Sequence, residues 1–250
     1  MPFDLDQPQT TRRDPGPTIF AAVMIGLAFS LYANGLVETT VVRATLLYYL
    51  TPVWSTLIGV LWLSERLIKA RVISIIVAFF GLILLLSGNG SAQAPLNTGD
   101  LFSFLSGIFW AIGIASLNRW SQIPILPLST FVFLSTTIIS IVFAVVIYGD
   151  PLPDFTMAQA AFPTAAFWSI VILLPCFFVI FRASQFLFPG RVGLLTMSEV
   201  VVAIVSAAIL VPDEPMQAIQ WLGAVAILLA GLIEVGFGTN QSAAAAQDQH

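Results

Sequence analysis

Glu199 is the leading candidate for a functional residue in this sequence, because of both its type and its position. It lies eight residues after Arg191, in an apolar run that begins at Val192, so a helix would carry it about 12 Å along that run. A carboxyl group at such a depth in hydrocarbon costs roughly 3 kcal/mol or more and usually faces a protein interior or a watery cavity. We therefore interpret Glu199 as part of a substrate or proton pathway. A glutamic acid that holds helices together through hydrogen bonds is the alternative.

Five further side chains could line a pocket with Glu199. They are Asn34, Tyr48, Tyr49, Trp54 and Trp110, all within apolar runs. Their aromatic faces and polar groups suit an amphipathic solute. Tyrosine and tryptophan also gather at membrane–water interfaces, so an interfacial position for the two tyrosines stays open.

Two prolines, Pro52 and Pro175, interrupt apolar runs. Proline has no N–H to donate and breaks the hydrogen-bond ladder of a helix. Membranes tolerate such breaks where neighbouring helices or a cavity satisfy the freed carbonyl groups. These prolines are candidate gating kinks, with static bends as the alternative.

The remaining reactive residues argue against an enzyme. The single histidine, His250, ends the chain, so a serine or cysteine nucleophile within an apolar run has no histidine base. The aspartates between the two polar tails, Asp100, Asp150, Asp154 and Asp213, fall at predicted loops. Neither a His-Glu-x-x-His metal motif nor a nucleotide-binding glycine loop is present in the sequence. We predict no enzymatic activity, no cofactor and no bound metal; an intramembrane enzyme is the weaker alternative.

Apolar helices must position these side chains, because 58% of the residues are hydrophobic and only 9% are charged. About 20 helical residues cross a hydrocarbon core. Eight segments reach or approach that length, and we name them spans A to H: Thr18–Val37, Thr45–Leu63, Val72–Ser87, Leu101–Leu117, Leu128–Tyr148, Ala165–Phe181, Val192–Val211 and Ala218–Phe237. The sequence predicts an all-α, polytopic transmembrane bundle of about eight helices. Its main partner is the lipid bilayer, and we expect no nucleic-acid partner.

The positive residues predict the orientation, since they favour the cytoplasmic side. With the N-terminus inside, the only positive residue outside is Arg43. The eight inside are Arg12, Arg13, Arg66, Lys69, Arg71, Arg119, Arg182 and Arg191. We expect both termini to be cytoplasmic, with polar tails at residues 1–17 and 239–250.

The sequence also contains an internal repeat. Arg43–Leu47 matches Arg191–Leu195 at three of five positions, and Gly81–Ile83 resembles Gly231–Ile233. Spans A, B and C then pair with F, G and H across five spans, so the copies cross in opposite directions. Inverted repeats are typical of secondary transporters. Residues 18–88 would form an incomplete first repeat of three helices and residues 100–238 a second of five. Chance similarity between apolar helices is the alternative.

The segment Leu47–Leu67, LYYLTPVWSTLIGVLWLSERL, resembles the EamA family of the drug/metabolite transporter superfamily, with Pro52 and Glu65 at the family's spacing. The second copy is looser, since valine stands where the family usually has that proline. The resemblance covers Thr18 to Gly236 and implies ten spans in two inverted repeats, so this chain resembles such a protein without its first two spans.

The resemblance implies a secondary transporter that moves, and commonly exports, a small metabolite, amino acid or drug-like solute by alternating access. It also implies a multi-pass protein of the bacterial inner membrane. Proton coupling and a homodimer are further expectations. A truncated, inactive remnant of such a transporter is the alternative function.

Overall fold

The computed structural model of the chain describes residues 15–39, 41–65, 67–87, 96–149, 154–202 and 217–247. Within these residues the regular elements are helices. They are α1 (Gly16–Glu38), α2 (Val41–Tyr48), α3 (Thr51–Leu63), α4 (Lys69–Leu86), α5 (Thr98–Arg119), α6 (Ile125–Val142), α7 (Phe155–Phe167), α8 (Leu174–Ser184), α9 (Pro189–Thr196) and α10 (Ala218–Gln247). Residues 198–202 are also helical. A π-helical stretch, Phe143–Ile147, continues α6, and another, Trp168–Leu173, joins α7 to α8.

Four helical units are long and apolar enough to cross a membrane. They are Gly16–Glu38, Thr98–Arg119, Ile125–Ile147 and Phe155–Ser184, and they correspond to spans A, D, E and F. A helix of 23 residues, such as the first, extends about 34 Å, which exceeds the hydrocarbon thickness of about 30 Å. The predicted all-α membrane bundle is confirmed.

Two predicted span boundaries need correction. Span F was expected to begin at Ala165, but its helix begins at Phe155, where the Asp154 side chain accepts a hydrogen bond from the Phe155 N–H at 2.8 Å. This helical unit has 30 residues and is not too short to cross. Polar residues in the first turns of this helix interrupt the apolar run, so the run alone predicts a later start. The last helix likewise continues ten residues beyond Phe237, to Gln247, through an alanine-rich segment with high helix propensity.

A first apolar core forms where α1 packs against α5 and α6. Its fully buried side chains include Ile25, Ile114 and Leu128. Ser135 of α6 donates a hydrogen bond to the Ala22 carbonyl of α1 at 2.9 Å. Small residues on α1 allow this close approach, as is usual between membrane helices.

A second apolar core lies between α4, α9 and α10. The backbones of α4 and α10 meet at two glycines: a Cβ added to Gly81 would lie 2.8 Å from the Gly223 carbonyl oxygen. Leu82, Leu85 and Ile227 are fully buried beside them. The Tyr48 side chain packs against both cores, so it lies where the two halves of the structure meet.

Span B is divided into two helices at the predicted break. α2 ends at Tyr48 and α3 begins at Thr51, with Pro52 in its first turn. Because Pro52 has no N–H, it cannot satisfy the Tyr48 carbonyl four residues earlier. The Thr51 hydroxyl donates to that carbonyl instead.

Span G has a matching interruption. α9 ends at Thr196, Met197 forms a turn, and the chain is helical again from residue 198 to 202; residues 203–211 of the predicted span lie outside the described residues. α2 and α9 each have eight residues. Their first residues, Val41 and Pro189, are 148 positions apart, as are their last. This offset equals that between Arg43 and Arg191, so the matching segments Arg43–Leu47 and Arg191–Leu195 lie in corresponding short helices.

The helical unit Phe155–Ser184 presents a predominantly apolar surface outward. Phe162 is 70% exposed and Val179 is 66% exposed. In a chain whose solvent is lipid, such side chains are compatible with a stable surface, because the surrounding hydrocarbon is as apolar as they are.

Candidate functional site

Three tyrosine rings gather at the break in span B. The rings of Tyr32 and Tyr48 have centroids 4.6 Å apart with an interplanar angle of 38°. Tyr49 meets Tyr48 edge to face, with centroids 5.1 Å apart. Tyr32 belongs to α1, whereas the other two lie at the end of α2, so the break joins two elements through their rings. We name Tyr32, Tyr48 and Tyr49 the tyrosine cluster.

Glu199 lies beside the tyrosine cluster. Tyr49 packs in the same core as Met197, Val200 and Val201, which flank Glu199 in sequence. The Glu199 side chain is exposed, and Tyr32 and Tyr48 are half-buried. An acidic group and accessible aromatic surface therefore share one region between the two broken spans.

Two glycines let neighbouring helices approach the break in span B closely. A Cβ added to Gly193 of α9 would lie 3.0 Å from the Cα of Pro52, and one added to Gly107 of α5 would lie 2.9 Å from the Tyr48 carbonyl oxygen. Real Cβ atoms seldom approach backbone so closely. The absence of a side chain at both positions therefore lets α5 and α9 contact the backbone of the break.

The other predicted pocket residues lie in different surroundings. Asn34 is half-buried and donates a hydrogen bond to the Ser30 carbonyl of its own helix at 2.7 Å. Trp54 is half-buried, contacts Phe104 edge to face at 5.4 Å, and its indole N–H has no hydrogen-bond partner among the described residues. Trp110 is 4% exposed and belongs to the first core. Tyr48 of the tyrosine cluster also packs against this first core.

The two candidate gating prolines differ in environment. Pro52 is buried in the first turn of α3, against α9. Pro175 is exposed in the first turn of α8, directly after the π-helical stretch Trp168–Leu173. Only the first of them therefore lies where two broken spans meet.

One ion pair lies at each end of span B. Arg43 at the start of α2 pairs with Asp100 of α5, which also accepts a hydrogen bond from Thr39 at 2.9 Å. Glu65, just after α3, pairs with Arg71 of α4, and these two side chains are 3% and 5% exposed. The helices α2 and α3 lie between these two pairs along the chain. The two pairs therefore join neighbouring elements on opposite sides of the bundle.

Sequence reasoning missed two members of these arrangements. Tyr32 lies in span A, two residues before Asn34. It is a polar aromatic residue in an apolar run, and the same criterion that selected Tyr48 and Tyr49 could have selected it. Asp100 was treated only as a loop residue. It completes a capping box with Asn97, since each residue's side chain accepts a hydrogen bond from the other's backbone N–H. That pattern is readable in sequence, whereas its pairing with Arg43, 57 residues away, is not.

A cavity of about 510 Å³ lies away from these residues, at the start of α1 and the turn between α5 and α6. Its lining includes Pro17, Arg119, Trp120, Gln122 and Phe131. None of the predicted site residues lines it. We therefore place the candidate site at the tyrosine cluster and Glu199, where the two broken spans meet.

The fold is that of a multi-pass α-helical membrane protein. Residues 3–87 match the model of the EamA-like transporter family. The matched residues include Leu47–Leu67, so the resemblance drawn from that segment is confirmed.

Two further comparisons concern solved structures and curated proteins. A crystal structure described only as that of a protein superposes with a TM-score of 0.74 at 16% sequence identity, covering 92% of this chain and 79% of the other. At this identity the similarity shows a shared fold. No curated protein matches the sequence.

Proposed function

We propose that the chain is a secondary transporter that moves a small metabolite, amino acid or drug-like solute across the membrane by alternating access. The observation that carries the proposal is the meeting of two broken spans, 148 residues apart, at Tyr48, Tyr49 and Glu199. Secondary transporters commonly build their substrate sites from discontinuous helices near the bilayer midplane. The described geometry supports such a site, because the breaks place polar and aromatic groups within an otherwise apolar bundle.

The two ion pairs suggest how access could alternate. Arg43–Asp100 joins α2 to α5 at one end of span B, and Glu65–Arg71 joins the end of α3 to α4 at the other. Opening either side requires the elements on that side to separate. We propose that the pairs close opposite entrances, and that Pro52 acts as the pivot because the helix ladder is already interrupted there.

The charge distribution supports an orientation in the membrane. With eight positive residues assigned to one side, we propose that both termini lie in the cytoplasm. We propose export across a bacterial inner membrane as the working direction. Glu199 is the group that would bind the solute or a coupling proton.

Transport by the purified 250-residue chain in proteoliposomes tests this proposal. A panel of radiolabelled amino acids, small metabolites and amphipathic drugs would be screened for solute-driven exchange. We expect exchange of at least one solute, and a loss of about tenfold or more in Glu199→Gln. Such a loss corresponds to about 1.4 kcal/mol of interaction.

Glu38→Gln is the matched control, because Glu38 is an exposed carboxylate at the end of α1. It should retain exchange within about twofold, since an exposed surface charge contributes little. If no solute in the panel is exchanged, the carrier proposal is wrong and an inactive form is favoured. If Glu38→Gln loses as much exchange as Glu199→Gln, the assigned site is wrong.

A further inference from the structure

The cavity at the start of α1 and the α5–α6 turn lies where two crossing helices end. α1 begins at Gly16 and α5 ends at Arg119, and both helices are long and apolar enough to cross a membrane. The ends of such helices lie at the level of the lipid headgroups, because their apolar residues fill the hydrocarbon core. The volume of about 510 Å³ falls within the range of ligand sites, about 300–1,000 Å³. The cavity therefore has the depth and the size to hold the polar end of a lipid.

The polar lining of this cavity carries a positive charge. Arg119, Ser121 and Gln122 line it, and all three residues are exposed. Neither ion pair of the described residues involves Arg119, so its guanidinium balances no carboxylate in that part of the chain. A guanidinium donates two parallel hydrogen bonds to a phosphate, and a hydroxyl and an amide can donate others. This polar rim suits an anionic group with several acceptor oxygens.

Trp120 is held in the cavity wall by rings of two other helices. Its ring meets Phe20 of α1 edge to face, with centroids 5.9 Å apart, and Trp62 of α3 edge to face, with centroids 5.6 Å apart. Trp120 is half-buried, so part of its surface remains available to a ligand. Tryptophan favours the membrane–water interface, because its ring is apolar and its N–H is polar. Its position agrees with a cavity at the headgroup level.

Another part of the lining is apolar and extends along α6. Phe131 lines the cavity and is 40% exposed. It lies in the second turn of α6, about 9 Å along the helix axis from Ile125. Leu126 and Leu134 of the same helix are 63% and 51% exposed, so α6 presents apolar surface to lipid next to the cavity. The cavity thus joins a positively charged rim to an apolar wall that an acyl chain could follow.

An anionic phospholipid matches both parts of this lining. A free phosphate ion would bind the rim and leave the apolar wall uncovered, whereas a neutral amphiphile would leave Arg119 without a counter-charge. The orientation predicted from the positive residues places Arg119 on the cytoplasmic side. On that side, basic pockets between membrane helices bind anionic lipid headgroups.

We propose that this cavity binds one anionic phospholipid, at a site separate from the tyrosine cluster and independent of the transport proposal. Arg119 pairs with the phosphodiester, Ser121 and Gln122 donate hydrogen bonds to its oxygens, and an acyl chain lies along Phe131. The bound lipid joins the start of α1 to the α5–α6 turn.

Native mass spectrometry of the full chain in dodecyl maltoside tests the proposal, because it counts bound lipids and measures their affinity. The probes are dioleoylphosphatidylglycerol, zwitterionic dioleoylphosphatidylcholine, and dioleoylglycerol, which has no phosphate. We expect one saturable site that binds the anionic lipid at least about tenfold more tightly than either other lipid. Equal affinities would overturn the proposal. Displacement of the lipid by millimolar inorganic phosphate would show that a free anion is sufficient and would overturn the assignment to a lipid.

Two charge variants assign the headgroup to this cavity. Arg119→Gln should weaken binding of the anionic lipid about tenfold. Lys69→Gln is the matched control, since Lys69 is an exposed positive residue outside the lining, and it should change the affinity by less than about twofold. Equal losses in the two variants would indicate nonspecific attraction and contradict a site at Arg119.

Two apolar variants test the wall in the same way. Phe131→Ala should weaken binding about threefold through lost contact with the acyl chain. Leu134→Ala should leave binding unchanged, because Leu134 is exposed on the same helix but does not line the cavity. If Arg119→Gln does not fold, the three lipids and this second pair of variants decide: no difference between Phe131→Ala and Leu134→Ala would place the lipid elsewhere.

Discussion

The buried ion pair between Glu65 and Arg71 provides the most quantitative test of the fold. The Glu65 side chain is 3% exposed and that of Arg71 is 5% exposed. Gly59 leaves room for one Glu65 carboxylate oxygen, and Gly190 of α9 lies beside the Arg71 guanidinium. Replacing Arg71 with methionine preserves much of the side-chain length but removes the charge. The substitution therefore leaves a carboxylate inside the protein without its cation.

The expected cost is large. Breaking a buried pair by removing one partner costs about 3–5 kcal/mol, because the remaining charge is desolvated and uncompensated. A loss of about 4 kcal/mol lowers the equilibrium constant for folding about 1,000-fold. Glu65→Gln should also destabilise the protein, since it removes the carboxylate that pairs with Arg71. The double variant should lose less than the sum of the single losses, with a coupling energy of about 2 kcal/mol or more.

Reversible unfolding in mixed micelles of dodecyl maltoside and sodium dodecyl sulfate, followed by circular dichroism, would measure these free energies. Lys69→Met is the matched control, because Lys69 is exposed in the first turn of the same helix as Arg71. It should change the unfolding free energy by less than about 0.5 kcal/mol. A loss below about 1 kcal/mol in Arg71→Met, or strictly additive losses in the double variant, would refute a buried and coupled pair.

Two further predictions concern packing and orientation. Gly107→Ala should lower the unfolding free energy by about 1–3 kcal/mol through overpacking against the backbone of the helix break. Gly231→Ala is the control and should be neutral or stabilising, because an added Cβ there meets nothing within 4 Å. Similar losses in both variants would contradict the close approach of α5 to the break. In a Cys176→Ser background, a cysteine between Gly149 and Asp154 should react with an impermeant maleimide from outside the cell, and one replacing Lys69 should react only after permeabilisation. The reverse pattern would invert the proposed topology.

The sequence predicted the features that follow from local chemistry. The ends of spans A and D lie within three residues of helices α1 and α5, because polar residues bound both apolar runs. The break in span B was predicted at Pro52, since proline lacks the N–H needed there. The repeat offset of 148 residues between Arg43 and Arg191 also reappears in the paired helices α2 and α9.

Features that depend on distant contacts were not readable. The break in span G has Met197 at its turn and no proline, so no residue type in that segment predicts a helix break. The pairing of Arg43 with Asp100 joins residues 57 positions apart. The surroundings of Asn34 and Trp54 were not readable either: Asn34 donates to a carbonyl of its own helix and Trp54 meets Phe104, because helix rotation and neighbouring helices decide which side chains meet.

Protection of position 199 by a transported solute would test the central claim most directly. Glu199→Cys in the Cys176→Ser background would be reacted with a water-soluble methanethiosulfonate reagent in nanodiscs, with a cysteine at Gly149 as the control outside the proposed site. The solute is one that the original chain exchanges, added at a saturating concentration. If it binds at the tyrosine cluster, it should slow labelling at position 199 about tenfold and leave labelling at position 149 unchanged. Equal labelling rates at position 199 with and without solute, in a variant that still binds it, would contradict a solute site between the broken spans.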